Sequence, residues 1–225
     1  MQKKNNYNTQ ILISWWGLFA LVAFMVKQQS SHLFNIDQLG LIDIHRFLQP
    51  SQLTAFKWIT LAGSPIVTTL GALILSGWLL HRKQPFFSLI TLTTVIGGDL
   101  LELCVKELIQ RPRPAFELVR ATGYSFPSGH VFGTTMLAVL IWHFVISKTN
   151  RSQHQFFLLF LLIYWVGLVA ISRVYLQVHF PSDVLGGFIL AQAWWQTVNI
   201  SYLRLERQIA STINQLTGSD PKKTR

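Results

Sequence analysis

Three short clusters in the second half of the 225-residue chain carry side chains suited to chemistry. The first runs Lys106-Glu107-Leu108-Ile109-Gln110-Arg111-Pro112-Arg113-Pro114, and the second is Phe126-Pro127-Ser128-Gly129-His130. The third is Ser172-Arg173-Val174-Tyr175-Leu176-Gln177-Val178-His179-Phe180-Pro181-Ser182-Asp183. Lys106, Arg113 and Arg173 are cations that repel one another when brought together, so an anion must complete their site. Ser128 suits a helix N-cap, Gly129 lets backbone approach a ligand closely, and Pro127 stiffens the approach. The helix that starts there offers free N–H donors and a positive dipole end, which favour a phosphate. A multiply charged oxyanion fits such a pocket; a neutral solute does not.

His179 and Asp183 are four residues apart, with Pro181 marking a helix start between them. Asp183 is then placed to accept a hydrogen bond from one ring nitrogen, which fixes the tautomer and leaves the other nitrogen to attack. His130, from a different helix, is the candidate proton donor to the departing oxygen. Nucleophile, orienter, acid and cation clamp are the parts of phosphoryl transfer through a phosphohistidine, with water as the second attacker. The clamp would neutralise charge on the equatorial oxygens, as Mg²⁺ does in kinases. No acidic cluster is present to hold a metal, so neither a metal nor a cofactor is expected. Glu102 lies one turn before Lys106 and is expected to pair with it, while Asp99 falls on a similar face. Ionisable groups within an apolar span are costly, and both read as supports of the site rather than catalysts. Arg111 and Arg120 read as solvated loop charges that at most touch a headgroup, and Lys57 as a snorkelling residue.

The elements that must position these clusters are apolar helices. Half of the chain is hydrophobic, 13% is aromatic and only 12% is charged. Soluble domains carry roughly 25% charge, so an ordinary cytosolic globule and a disordered chain are both excluded. The single cysteine, Cys104, excludes an intramolecular disulfide and a cysteine-rich metal site. Apolar runs fall at about 11–26, 53–80, 86–105, 131–146, 156–171 and 184–203. Most are near the roughly 17–25 residues that cross a bilayer as helix, and in lipid they cannot be lone strands. The expected fold is therefore all-α, a six-transmembrane-helix bundle. A short amphipathic segment lies on the outer side between helices 1 and 2, within residues 28–52. Gly63-Ser64-Pro65 marks a kink in the second run. Residues 1–203 read as one integral membrane domain and 204–225 as a polar, basic cytoplasmic tail.

With the N-terminus inside, eleven Lys and Arg fall on the inner side and seven on the outer side. Three of the seven are the site cations Lys106, Arg113 and Arg173, so positive-inside orientation puts both termini in the cytoplasm. All three clusters then face outward. The net charge of +10 is spread along the chain, and no polar domain exists to carry a nucleic-acid footprint.

Taken together, Lys106-x6-Arg113-Pro114, Pro127-Ser128-Gly129-His130 and Ser172-Arg173-x5-His179-x3-Asp183 resemble the three signature motifs of the type-2 phosphatidic acid phosphatase superfamily. Each motif alone is weak; the three in order, with this spacing and sidedness, are specific. The resemblance implies His179 as nucleophile, Asp183 as its partner and His130 as general acid. It implies Lys106, Arg113, Arg173, Ser128 and the Gly129 amide as holders of the phosphoryl oxygens. It also implies a lipid phosphate substrate taken from the bilayer of the cell membrane, with no nucleic acid involved. Members of this size resemble bacterial phosphatases of phosphatidylglycerol phosphate, phosphatidic acid and undecaprenyl pyrophosphate. A lipid phosphotransferase or a non-catalytic lipid-phosphate binding or transport protein is the alternative reading. The motifs carry no signature of an oligomeric state.

Overall fold

Proline and glycine punctuate the helices where the hydrophobic runs end. In the computed structural model, which describes residues 2–148 and 152–216, the elements are α1 (Gln2–Lys27), α2 (Ser31–Phe47), α3 (Leu53–Ala62) and α4 (Pro65–His81). They are followed by α5 (Pro85–Ile109), α6 (Gly129–Phe144), α7 (Ser152–Tyr175) and α8 (Pro181–Leu216), and no strand occurs among the described residues. Pro65, Pro85 and Pro181 each open a helix, where the missing N–H costs nothing.

Four stretches are long and apolar enough to cross a membrane: Asn8–Lys27, Pro85–Ile109, Gly129–Lys148 and Ser152–Tyr175. A fifth arises if the pair Pro50–Ala62 and Pro65–His81, bent by 42°, is one broken span. The break falls at Gly63-Ser64-Pro65, as expected. Ser64 Oγ accepts from Val67 N–H at 3.4 Å and caps α4. The sixth expected span, residues 184–203, lies in α8, which does not reach the same apolarity. Gln192, Gln196, Thr197, Asn199 and Ser201 interrupt it. α8 can carry them because α1, α5 and α6 pack around it. Trp16 Nε1–H donates to Thr197 Oγ1 at 2.9 Å, and Trp194 Nε1–H to the Thr94 carbonyl at 2.8 Å.

The core runs between α4, α6 and α8 through Leu79, Met136, Leu140, Ile189 and Leu190. Large apolar side chains elsewhere point outward, among them Ile74, Phe156 and Ile163. An exposed apolar surface of this extent needs lipid around it. The expected tail from residue 204 begins inside α8, which stays helical to Leu216; its last part, residues 217–225, lies outside the described residues.

α2 is the expected amphipathic segment, with Phe34, Ile36, Leu39 and Ile42 exposed. Its inner face, however, is docked rather than merely resting on the bundle. Leu41 packs with Val174 and Phe180, and Gly40 sits so close to Pro181 that a Cβ would lie 2.5 Å from its ring. A carboxylate, Asp37, is fully buried on that same face.

Two glycines bring α8 onto the start of α6. A Cβ at Gly186 would meet the Phe126 ring, and one at Gly187 would lie 2.5 Å from the Ser128 carbonyl oxygen. The second neighbour is backbone and cannot yield. Gly187→Ala is therefore expected to destabilise the protein by about 1–3 kcal/mol, as overpacking does. Thermal melting of the purified protein in detergent checks this, and an unchanged midpoint would show that the two helices do not cross at this distance.

Candidate active site

The last turn of α5 carries Lys106, four residues after Glu102, and the expected pair forms: Nζ lies 3.1 Å from Glu102 Oε1. Lys106 also donates to the carbonyls of Tyr124, at 3.1 Å, and Pro127, at 2.9 Å. Gln110, with φ +56°, ends α5 in the left-handed region, and the chain turns into the 111–128 loop. Arg113 holds that loop. Its guanidinium donates to the carbonyls of Gly123 at 3.0 Å, Thr122 at 2.9 Å, Tyr124 at 3.3 Å and Val178 at 2.7 Å. Most of its N–H groups are thus spent on backbone, so it brings positive charge to the site as part of the loop's own frame. Pro114 is buried behind it, and Phe126–Pro127 is a cis peptide.

Ser128 occupies the N-cap position of α6, but its hydroxyl makes no capping bond. The hydroxyl is buried without a protein partner, as is Nε of Arg173, whose NH1 donates to Thr60 Oγ1 at 2.6 Å. Ser128 Oγ at the N-terminus of the 16-residue α6, and Arg173 Nε in the last turn of α7, are two donors left for an anion. Gly129 lets Glu102 approach: a Cβ there would lie 2.8 Å from its Oε1. His130 follows on the first turn of α6.

His179 sits in the short loop between α7 and α8 and is 1% exposed. Its Nε2 lies 3.3 Å from Arg113 NH1. A guanidinium only donates, so Nε2 is the accepting nitrogen and the ring proton belongs on Nδ1. Nδ1 faces Asp183 Oδ2 at 3.6 Å. That separation is longer than the hydrogen bond expected from their spacing. The reason is competition: Oδ2 already accepts Phe180 N–H at 2.8 Å, and Oδ1 accepts Arg111 at 2.6 Å. Burial pushes the His179 imidazole well below its ordinary pKa, and Arg173, Arg113 and Lys106 push it the same way, so the ring is neutral.

Arg111 corrects the reading of it as a solvated loop charge. Its side chain is 13% exposed and bridges two carboxylates, Asp183 and Asp37. Asp37 was invisible among the three clusters. The signal for it lay in periodicity: Leu33, Asp37, Leu41 and Ile44 form one stripe of α2, and a carboxylate on an apolar stripe needs a buried partner.

A cavity of about 1110 Å³ gathers the rest. Lys106, Arg113, Arg173, His130 and His179 line it together with Gly129. Asp99 and Glu102 also reach it, and Asp99 Oδ2 lies 3.5 Å from Thr69 Oγ1. Lys57 and Arg120 line it too, so neither is only a membrane-edge or loop charge. Trp58, Leu61 and Leu103 give it an apolar wall from α3 and α5. The arrangement can hold an anion among cations while a neutral imidazole nitrogen faces it.

The model of the PAP2 superfamily matches residues 60–207. The chain belongs to the PAP2 superfamily. Phosphatidylglycerophosphatase B of Bacillus subtilis is 37% identical over 129 residues, which are 56% of this chain and 61% of that protein. Lipid phosphate phosphatase delta of Arabidopsis thaliana is 32% identical over 119 residues, 45% of this chain and 28% of that protein. The chain thus spans less than two thirds of the length of these relatives. Among solved structures, the transmembrane PAP2-type phosphatidylglycerolphosphate phosphatase from Bacillus subtilis superposes with a TM-score of 0.74 at 29% identity. That match covers 84% of this chain and 94% of the other. Apolar helices and these PAP2 relatives make the chain a membrane protein. The PAP2 match begins at Thr60, the partner of Arg173, and includes all three clusters. α2, with Asp37, lies outside it.

Proposed function

We propose that the chain is a lipid phosphate phosphatase that removes a phosphoryl group from a lipid monoester or diphosphate through a phosphohistidine on His179. One observation carries this reading: a buried, neutral imidazole lines one cavity with Lys106, Arg113 and Arg173, its Nε2 beside the Arg113 guanidinium. Mere binding of a lipid phosphate would not need that nitrogen.

In the first step Nε2 attacks phosphorus and the bond from phosphorus to the leaving oxygen breaks. With the negative charge of the bound phosphate beside it, His130 takes up a proton and hands it to that oxygen, releasing the lipid alcohol, or a lipid monophosphate from a diphosphate. The imidazole becomes cationic as the N–P bond forms, and Asp183 on the Nδ1 side balances it. In the second step water attacks phosphorus, gives a proton to the now neutral His130, and the N–P bond breaks to restore neutral His179. Arg173 Nε, Ser128 Oγ and the α6 N-terminus hold the phosphoryl oxygens, with Lys106 and Arg113 adding charge. The apolar wall of the cavity accommodates the lipid end.

We place the site at the outer leaflet of the cell membrane in a six-span layout that includes α8, with both termini cytoplasmic. The cation distribution supports that orientation. A phosphotransferase differs only in the second step, where an alcohol replaces water.

Release of inorganic phosphate tests the proposal. Purified protein in detergent micelles is offered undecaprenyl pyrophosphate, phosphatidylglycerol phosphate and phosphatidic acid side by side. Turnover of at least one is expected, with inhibition by orthovanadate and rates within about two-fold in EDTA, because the clamp is built from side chains. No release from any of the three would overturn the reading. Loss of turnover on chelation would overturn its metal-independent mechanism.

A further inference from the structure

The charges that surround Asp183 do not all belong to the reaction just described. Arg111 NH1 donates to Asp183 Oδ1 at 2.6 Å and to Ser182 Oγ at 2.7 Å. Its NH2 donates to Asp37 Oδ2 at 2.6 Å. Asp37 in turn accepts Ser182 N–H at 2.9 Å and Ser182 O–H at 2.6 Å. The ring closes through Asp37, Ser182, Asp183 and both terminal nitrogens of Arg111. Phe180 lies flat against the guanidinium, with Arg111 Cζ 4.2 Å from its ring centre.

Stability does not explain this cluster. Buried ion pairs are on balance no better than well-packed apolar side chains of the same volume. What the cluster does fix is geometry and charge beside the imidazole. We propose that Arg111 and Asp37 are positioning residues for the His179–Asp183 pair, so that α2 takes part in the reaction from outside the three signature clusters. This rests on the phosphohistidine reading above.

The case has two parts. First, Arg111 turns Asp183: with Oδ1 held by the guanidinium and Oδ2 by Phe180 N–H, the carboxylate is fixed in one orientation toward Nδ1. A planar fork holds two carboxylates in fixed directions, whereas the donors of an ammonium rotate and fix neither. Second, two carboxylates share one guanidinium, which leaves one net negative charge buried against the ring. A neutral His179 ring gains little from that charge. As Nε2 bonds to phosphorus the ring turns cationic and is attracted to it, so the stabilisation is larger in the transition state than before it.

The test compares Arg111→Gln, Arg111→Lys and the near-isosteric Asp37→Asn with the parent, each checked for an intact melting transition. Arg111→Gln and Asp37→Asn are expected to lower kcat by about 10- to 100-fold, as loss of a supporting charged hydrogen bond does, with KM within about three-fold. Arg111→Lys should rescue only part of the loss. In an Asp183→Asn background both substitutions should cost less than about three-fold more, because they act through Asp183. In full-length protein labelled with ¹⁵N-histidine, the His179 signal, identified by its loss in His179→Ala, should show Nδ1 protonated and should shift in Arg111→Gln. Losses that multiply with Asp183→Asn, or a His179 signal that Arg111→Gln leaves unmoved, would overturn the proposal. Absence of turnover in the parent would instead sink the phosphatase reading, and the ¹⁵N signal would still judge the pair.

Discussion

His179→Ala is expected to lower phosphate release by about 10⁴-fold or more, to the level left by binding and charge alone. Two imidazoles line the cavity, and that of His179 is the one with a carboxylate, Asp183, on its far side. Arg113 meets it at Nε2, and Asp183 faces Nδ1 at 3.6 Å. Alanine keeps the cations, so the variant should still bind the lipid, and KM should change far less than kcat. The same substitution should abolish the acid-labile phosphoenzyme trapped from ³²P-labelled substrate. The pH dependence has a definite sign. Burial and three cations hold the free imidazole well below its ordinary pKa, so it needs no deprotonation before attack. kcat/KM should therefore not fall on account of this group as pH drops through about 6.5. A variant that still turns over at a tenth of the parent rate would mean that water attacks phosphorus directly.

The three clusters were legible because each is a local run at a helix end. Lys106 and Glu102 meet at helical spacing, Ser128-Gly129 starts α6, and His179 precedes the α8 start at Pro181. Such features follow from residue type and period without knowledge of neighbours. What was not legible depends on which element packs on which. Asp183 was matched to His179 by spacing, yet Phe180 N–H and Arg111 claim its oxygens first. Arg111 looked like a loop charge because Asp37, its second partner, lies 74 residues away on α2. The sixth span was read from average hydrophobicity, which cannot see that α1, α5 and α6 shelter the polar residues of α8. Trp194 packs across Gly97 and Gly98 and donates to the Thr94 carbonyl, contacts that join α8 to α5 across about a hundred residues of chain.

Arg173→Met is expected to separate activity from stability in opposite directions. Arg173 is 4% exposed, and among the described residues no carboxylate lies within ion-pair distance of it. NH1 meets Thr60, but Nε has no partner in the protein. A buried cation in that state carries a desolvation penalty that its bond to Thr60 offsets only in part, and methionine fills similar volume without charge. The melting midpoint of Arg173→Met in detergent should therefore equal or exceed that of the parent. Phosphate release should fall by about 10²- to 10³-fold, the cost of removing one preorganised donor to a developing oxyanion. Orthovanadate supplies the same anion without reaction and should raise the parent's midpoint, since a ligand that binds only the folded state stabilises it. It should raise the variant's midpoint far less. If Arg173→Met instead melts several degrees lower while each folded molecule keeps its rate, Arg173 is a strut between α7 and Thr60. The anion would then have to be held by Lys106, Arg113 and the α6 N-terminus alone.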